Sequence, residues 1–250
     1  MLHTSAFWKN HFANNLTVQR IDWSQQPTLT TDEKGAILYS LKAWQLGETS
    51  DGRHLLVAAN KYASRINDPE YVEAVKLFIR EEQKHGSNLA RYVDLLGEQR
   101  ARSDWGDTLF RKLRYFNSSM ELWTITVIIV ESAAQVFYQA LHDATKCPLL
   151  REICNEILID EAHHIKFQNE RMHLLFQRKG FYNRAFSLLM YSLLFFGTVH
   201  AVWFGHQRAL KAGGVDFSTF MRRMYYKFFS SVKLLHKEVG EVRRGEVAVA

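Results

Sequence analysis

The sequence predicts an all-α chain, a four-helix bundle with additional C-terminal helices. Three observations predict it. Only 3 of the 250 residues are proline, so little interrupts a helix once it has started. Hydrophobic residues make up 47% of the chain, and in four long segments they recur at steps of three and four. No solenoid-period repeat or low-complexity stretch breaks that pattern. At 29.2 kDa the chain fits one large domain with a sizeable core. Within it, 1–31 is an N-terminal extension, 32–179 the four-helix core and 180–250 a set of additional C-terminal helices.

The first core segment runs from about Asp32 to Ile66, with Thr31 as its expected N-cap and Asn67-Asp68-Pro69 as its stop. Leu41, Gln45, Glu48, Gly52, Leu55, Ala59 and Tyr62 form one stripe, so Glu48 sits within a mostly apolar face. The second segment runs from Pro69 to about Leu96, places Glu82 and His85 among apolar neighbours, and is closed by Gly97. Residues 98–116 are more polar and read as a connector holding a short helix. The third segment, from about Ser118 to Ala144, is almost wholly apolar apart from Glu121, Glu131 and its ends. A lone carboxylate in such a run is costly if buried without a partner. The fourth segment runs from about Pro148 to Lys179.

Beyond the core, residues 185–204 contain no Lys, Arg, Asp or Glu, and their length meets the minimum for a membrane span. Ser187, Ser192, Gly197, Thr198 and His200 weaken that reading. A helix buried against the bundle or lining an apolar channel is expected first, membrane-surface attachment second and a true span third. Residues 215–239 read as an amphipathic closing helix, with membrane docking as the alternative.

The chemistry lies in a repeated pattern, Glu-x-x-His, which sets a carboxylate and an imidazole on one helix face. It occurs at Glu82/His85, Glu161/His164 and Glu170/His173. The last two pairs are nine positions apart, about half a turn, so they face opposite ways. Two such pairs on two helices, with a lone Glu from each of two others, are the pattern of a carboxylate-bridged dinuclear metal site in a four-helix bundle. Heights select the members. Glu131 and Glu161 are each fifteen positions from a turn centred near residue 146, whereas Glu170 lies roughly 13 Å further along. Across the other hairpin Glu48 and Glu82 differ by roughly 7 Å, which a slightly asymmetric turn absorbs. Asp51 fits the height better but lies on another stripe.

The predicted metal ligands are therefore Glu48, Glu82, His85, Glu131, Glu161 and His164, a donor set suited to two first-row ions. Glu81 lies four before His85 and Asp160 four before His164, so each is placed to hold the histidine of the facing helix. The Glu170/His173 pair is expected to be solvated or partner-facing, His163 to be outer-shell or exposed, and His200 a satisfied core residue. No catalytic residue beyond the metal ligands is predicted.

Composition excludes several classes. The net charge of +6 and pI near 9.3 read as a spread basic surface, and no nucleic-acid motif accompanies them. Cys147 and Cys154 are the only cysteines, which points to a reduced, cytoplasmic protein. The first thirty residues lack the apolar core of a signal peptide. No phosphate loop, nucleophile elbow or cysteine zinc spacing occurs.

With these residues in place, the chain resembles the ferritin-like diiron-carboxylate superfamily. "EEQKHG" is similar to the first metal motif of acyl-carrier-protein desaturases, and "DEAHH" to motifs in several branches, alternative oxidases among them. The order lone Glu, ExxH, lone Glu, ExxH also matches aldehyde-deformylating oxygenases. The resemblance covers about 32–179 and implies a ferritin-like bundle binding two Fe ions, with an Mn/Fe pair as a variant. In it Glu82 and Glu161 bridge the metals, and Glu48, Glu131, His85 and His164 are terminal ligands. The seventh ligand of arylamine oxygenases has no counterpart at Ile157.

The function expected is an O2-activating diiron oxidase or oxygenase acting on a small apolar or carrier-bound substrate. Its electron donor is not specified, and a homodimer and peripheral membrane contact are compatible with it. The alternatives are a ferroxidase or iron-storage protein, a membrane-attached quinol oxidase and a metal-free helical binding module.

Overall fold

The computed structural model describes residues 2–115 and 119–236, and these fold into nine helices with no strand among them. In chain order they are α1 (Ser5–Asn15), α2 (Thr31–Glu48), α3 (Arg53–Ile66), α4 (Pro69–Leu95), α5 (Trp105–Tyr115), α6 (Met120–Asp143), α7 (Pro148–Gln177), α8 (Phe181–Ala212) and α9 (Phe217–His236). Helices α2, α4, α6 and α7 are the four-helix core. The α6–α7 hairpin packs most closely, α4 lies against α2 and α7, and α8 and α9 lean on α6.

Two sequence expectations change here. The first core segment is not one helix: α2 ends at Glu48 and α3 restarts at Arg53. The intervening Thr49-Ser50-Asp51-Gly52 is turn chemistry, and Gly52 takes φ +64°, a left-handed conformation that costs a residue with a side chain. The break absorbs the height mismatch between Glu48 and Glu82. The N-cap of α2 is Thr30, not Thr31. Its hydroxyl accepts from the Glu33 N–H while the Glu33 carboxylate accepts from the Thr30 N–H, a complete capping box. The expected connector helix is α5, although residue 116 lies outside the described residues. So do Ser118, the expected start of the third segment, and the last residues of the closing helix, 237–239.

Helix α6 is apolar nearly all round because it is buried nearly all round. Ile125, Ile128, Ile129, Val136, Phe137 and Leu141 are each no more than 2% exposed, and each large apolar side chain so buried stabilises the fold by about 1.5–3 kcal/mol. By length and apolarity both α6 and α8 are capable of crossing a membrane, but their apolar stretches are 72% and 33% buried. Only α6 spends its apolar surface on the core. Its partner α8 turns Tyr191, Phe195, Val199 and Trp203 inward and leaves its opposite face exposed.

The N-terminal extension is part of the core. From α1, Trp8 and Phe12 pack onto Phe167 of α7 and Phe78 of α4. Asn15 at its end is also buried.

Candidate metal centre

Each predicted donor comes from a helix whose packing fixes its direction. Glu48 is the last residue of α2, Glu82 and His85 lie in the middle of α4, Glu131 in α6, and Glu161 and His164 in α7. All six meet at one point in the bundle. Glu82, Glu131, Glu161 and His164 offer donor atoms within 4.8 Å of one another, and so do Glu48, Glu82 and His85. Gly86 lets the end of α2 come close. A Cβ there would lie 3.1 Å from the Glu48 carbonyl carbon and 3.2 Å from its Cβ. Asp51 stays outside, exposed and paired with Arg53.

Glu161 spans the group. One of its oxygens is 3.8 Å from His85 Nδ1 and the other 3.7 Å from His164 Nδ1. Glu82 Oε1 lies 2.8 Å from His164 Nδ1 and 4.0 Å from His85 Nδ1. Five donor atoms that point inward are buried and have no partner outside the cluster, their nearest polar neighbours being one another: Glu82 Oε1, His85 Nδ1, both Glu161 oxygens and His164 Nδ1. Buried polar atoms are almost always satisfied, so donors that face only one another make this cluster a candidate cation site. Oxygen and imidazole donors suit first-row ions.

The outer faces of the imidazoles are fully engaged. His85 Nε2 is 3.1 Å from Asp160 Oδ2, and His164 Nε2 is 2.8 Å from Glu81 Oε2. An ionised carboxylate only accepts, so each Nε2 carries a proton, and Nδ1 is the ring nitrogen turned toward the cluster. The two acids therefore cross over, each holding the histidine of the facing helix. Asn15 joins them. Its Nδ2 donates to Glu81 Oε1 and to Asp160 Oδ1, both at 2.8 Å, and Arg20 closes the outer side by donating to Asn15 Oδ1 at 2.5 Å and to Asp160 Oδ1 at 3.4 Å. On the opposite side the Tyr138 hydroxyl donates to Glu48 Oε1 at 2.7 Å.

Without cations the cluster must hold protons. Burial, then the charges of Glu82 and Glu161, push Glu48 well above the carboxylate range; burial, then Glu161 and Glu82, do the same to Glu131. Burial disfavours charge on His164, but Glu82, Glu161 and Glu81 outweigh it and hold the imidazole well above its ordinary value. Burial also opposes charge on Asp160, yet its hydrogen bond with His85 and that imidazole's charge bring it down to about 2.

The remaining candidates lie elsewhere. His163 is half-buried beside His11, with ring centroids 4.4 Å apart, and bonds the Ile159 carbonyl. His200 bonds the Phe196 carbonyl. Glu170 and His173 are not solvated. Glu170 accepts from His3 and from Trp8 Nε1, while the buried His173 donates to the Leu234 carbonyl, so the pair fastens both α1 and α9 to α7. Asn15 and Tyr138 were not anticipated. Tyr138 lies seven positions after Glu131, two turns along the same face, and was legible on that ground. Asn15 has no local signal.

A cavity of about 400 Å³ adjoins the cluster. Glu48, Glu82 and Glu131 form part of its wall, with Phe78, Ile79, Trp123 and Val127 around them. Glu82, 19% exposed, is the one donor in reach of it that is not buried. Its rim, between the α2–α3 break and α5, carries Arg53, Asp107 and Arg111.

No protein-family model and no curated protein matches the chain. Solved structures do. A valine-to-isoleucine variant of an R2-like ligand-binding oxidase with an aerobically reconstituted Mn/Fe cofactor superposes with TM-score 0.68 at 19% identity, covering 93% of this chain and 94% of that one. An alanine-to-phenylalanine variant with an anaerobically reconstituted Mn/Fe cofactor gives 0.68 at 19%, covering 93% of each chain. A glycine-to-phenylalanine variant gives 0.68 at 18%, covering 93% of this chain and 97% of that one. Over nearly its whole length the chain has the ferritin-like fold that these R2-like ligand-binding oxidases share.

Proposed function

We propose that the protein is an O2-dependent oxidoreductase that holds two transition-metal ions and oxidises a small apolar or carrier-tethered substrate in the adjoining cavity. One observation carries this reading: a set of orphaned carboxylate and imidazole donors, buried on all sides except where Glu82 meets an apolar cavity. Glu48, His85, Glu131 and His164 would each hold one ion, and Glu82 and Glu161, which lie between the two groups of donors, would be shared by both. The pair is two irons or, as in the structural neighbours, manganese with iron. When bound, it supplies the electrons and Lewis acidity that dioxygen reduction needs.

The chain's own residues do the rest. Glu81 and Asp160 orient the imidazoles, and Tyr138 holds one oxygen of Glu48. Phe78, Ile79, Trp123 and Val127 exclude water and present an apolar wall to substrate, while the charged rim suits a polar end or a carrier. A storage role has no use for such a cavity, which favours substrate oxidation over ferroxidation.

The test is metal content per chain after growth in iron-supplemented medium, with the optical spectrum followed after anaerobic reduction and exposure to oxygen. The expected result is two ions per chain and an oxygen-dependent absorption change, both lost in Glu161→Ala. A folded protein that binds no metal would return the chain to the binding-module reading.

A further inference from the structure

The chain's basic excess is not spread evenly once it is assigned to helices. From Phe181 to His236, the α8–α9 hairpin, Asp216 is the sole carboxylate against seven Lys and Arg. The hairpin thus carries a charge of +6, equal to the net charge of the entire chain. The same hairpin carries the largest apolar exposure. On α8, Tyr182 (86% exposed), Phe186 (65%), Leu189 (56%), Met190 (41%), Leu193 (58%) and Phe196 (42%) recur at steps of three and four along one face. The patch continues onto α9. Phe196 meets Tyr225 at 5.9 Å between ring centroids, and Tyr225 stacks on Phe229 at 6.0 Å, where Phe229 is 59% and Tyr226 75% exposed. Exposed Arg222, Arg223 and Lys233 border that end, and Arg178, Arg208 and Lys211 lie near the two ends of α8. Soluble monomers rarely leave so many large apolar side chains together on one surface.

We infer that this hairpin face docks on an anionic phospholipid surface, with the α8 row and the α9 aromatics entering the headgroup region and the bordering Arg and Lys meeting lipid phosphates. The charge distribution selects this occupant. A second copy laid on the face would bring basic ends together in either orientation, since α8 has no carboxylate to receive them. A nucleic acid would use the basic rim but leave the aliphatic row in water. Helix α8 lies along the surface and does not span, because its other face is committed to α6 and α9. This inference stands apart from the metal reading.

The test is co-sedimentation of the full chain with vesicles of phosphatidylcholine alone and of phosphatidylcholine with phosphatidylglycerol. Binding should favour the anionic vesicles by at least tenfold and weaken as salt rises. Replacing exposed side chains with L189S/L193S should cut partitioning about tenfold, and R222E/R223E should cut it at least tenfold on anionic vesicles. All of these positions are solvent-exposed, so circular dichroism and the thermal midpoint should not move. Equal binding to both vesicle types, or undiminished binding by L189S/L193S, would overturn the inference. So would a dimer in sedimentation equilibrium that L189S/L193S dissociates while the wild type ignores vesicles, since the occupant would then be a second copy.

Discussion

Replacing Asn15 with leucine, close to it in size, removes the one amide that ties the supports of both histidines together. Each of the two hydrogen bonds that its Nδ2 donates, at 2.8 Å, ends on a buried carboxylate. Bonds to charged groups contribute about 1.5–3 kcal/mol each, so the metal-free fold should lose up to about 3–6 kcal/mol. The more specific consequence concerns metal. Loss of an outer partner typically weakens binding by about 10–100-fold, and Asn15 serves Glu81 and Asp160 together, so both ions should bind more weakly. In contrast, Asp160→Asn should act first on the His85 side and Glu81→Gln on the His164 side. Anaerobic titration with Fe(II) or Mn(II), read by metal analysis after gel filtration, separates these patterns. A folded Asn15→Leu protein with both affinities unchanged, or with one ion weakened and the other untouched, would refute the clasp.

Three further outcomes follow from the same geometry. Ala at Gly213 would drive a Cβ into the α6 backbone, 2.6 Å from the Ala140 Cα; a loss of about 1–3 kcal/mol or more in denaturant unfolding is expected, and an unchanged midpoint would mean the helices part without cost. Because Glu48, Glu131 and His164 all have raised pKa values in the metal-free protein, their stabilisation is complete below their ordinary values and is lost as pH rises through the raised ones; thermal midpoints of metal-free protein should fall toward alkaline pH, metal loading should abolish that slope, and uptake should release protons measurable in weak buffer. Burial lowers His206 to about 4; its stabilisation is complete above the ordinary value of 6.5 and is lost as pH falls through 4, by at most about 3 kcal/mol, a slope that His206→Gln should remove from pH-dependent unfolding curves.

Much of the core was legible because helical period, proline placement and ExxH spacing are local signals. Glu82, His85, Glu161 and His164 show themselves by three-residue spacing, Glu81 and Asp160 by lying four before a histidine, and the lone Glu48 and Glu131 by their height along the bundle and their apolar faces. What stayed hidden depended on distance or on overriding a pattern. The stripe from Leu41 to Tyr62 keeps helical period straight through Thr49-Ser50-Asp51-Gly52, so periodicity masked a break that the turn residues announced. Asn15 bonds partners 66 and 145 positions away, and nothing near it in sequence marks that. Glu170 and His173 looked solvated because they face away from the cluster. They turn out to face α1 and α9, elements whose docking sites the sequence does not display.

Charge bears on how many ions the proposed site would take. Glu48, Glu81, Glu82, Glu131, Asp160 and Glu161 are six acids around two imidazoles, in a region from which water is largely excluded. Burying even one uncompensated carboxylate costs several kcal/mol. Arg20, 3.4 Å from Asp160, offsets one charge from outside. A single divalent ion would leave about three more negative charges uncompensated, and the groups nearest it would have to retain protons. Two divalent ions leave about one, and oxidation of either removes it. The outer acids add to this demand, since they could have been carbonyls or amides if orienting the histidines were their whole role. Their negative charge raises imidazole basicity and favours the higher charge state of the ions. A site meant for one structural ion would need neither the second ExxH nor both outer acids, so the charge count agrees with the proposed pair of ions.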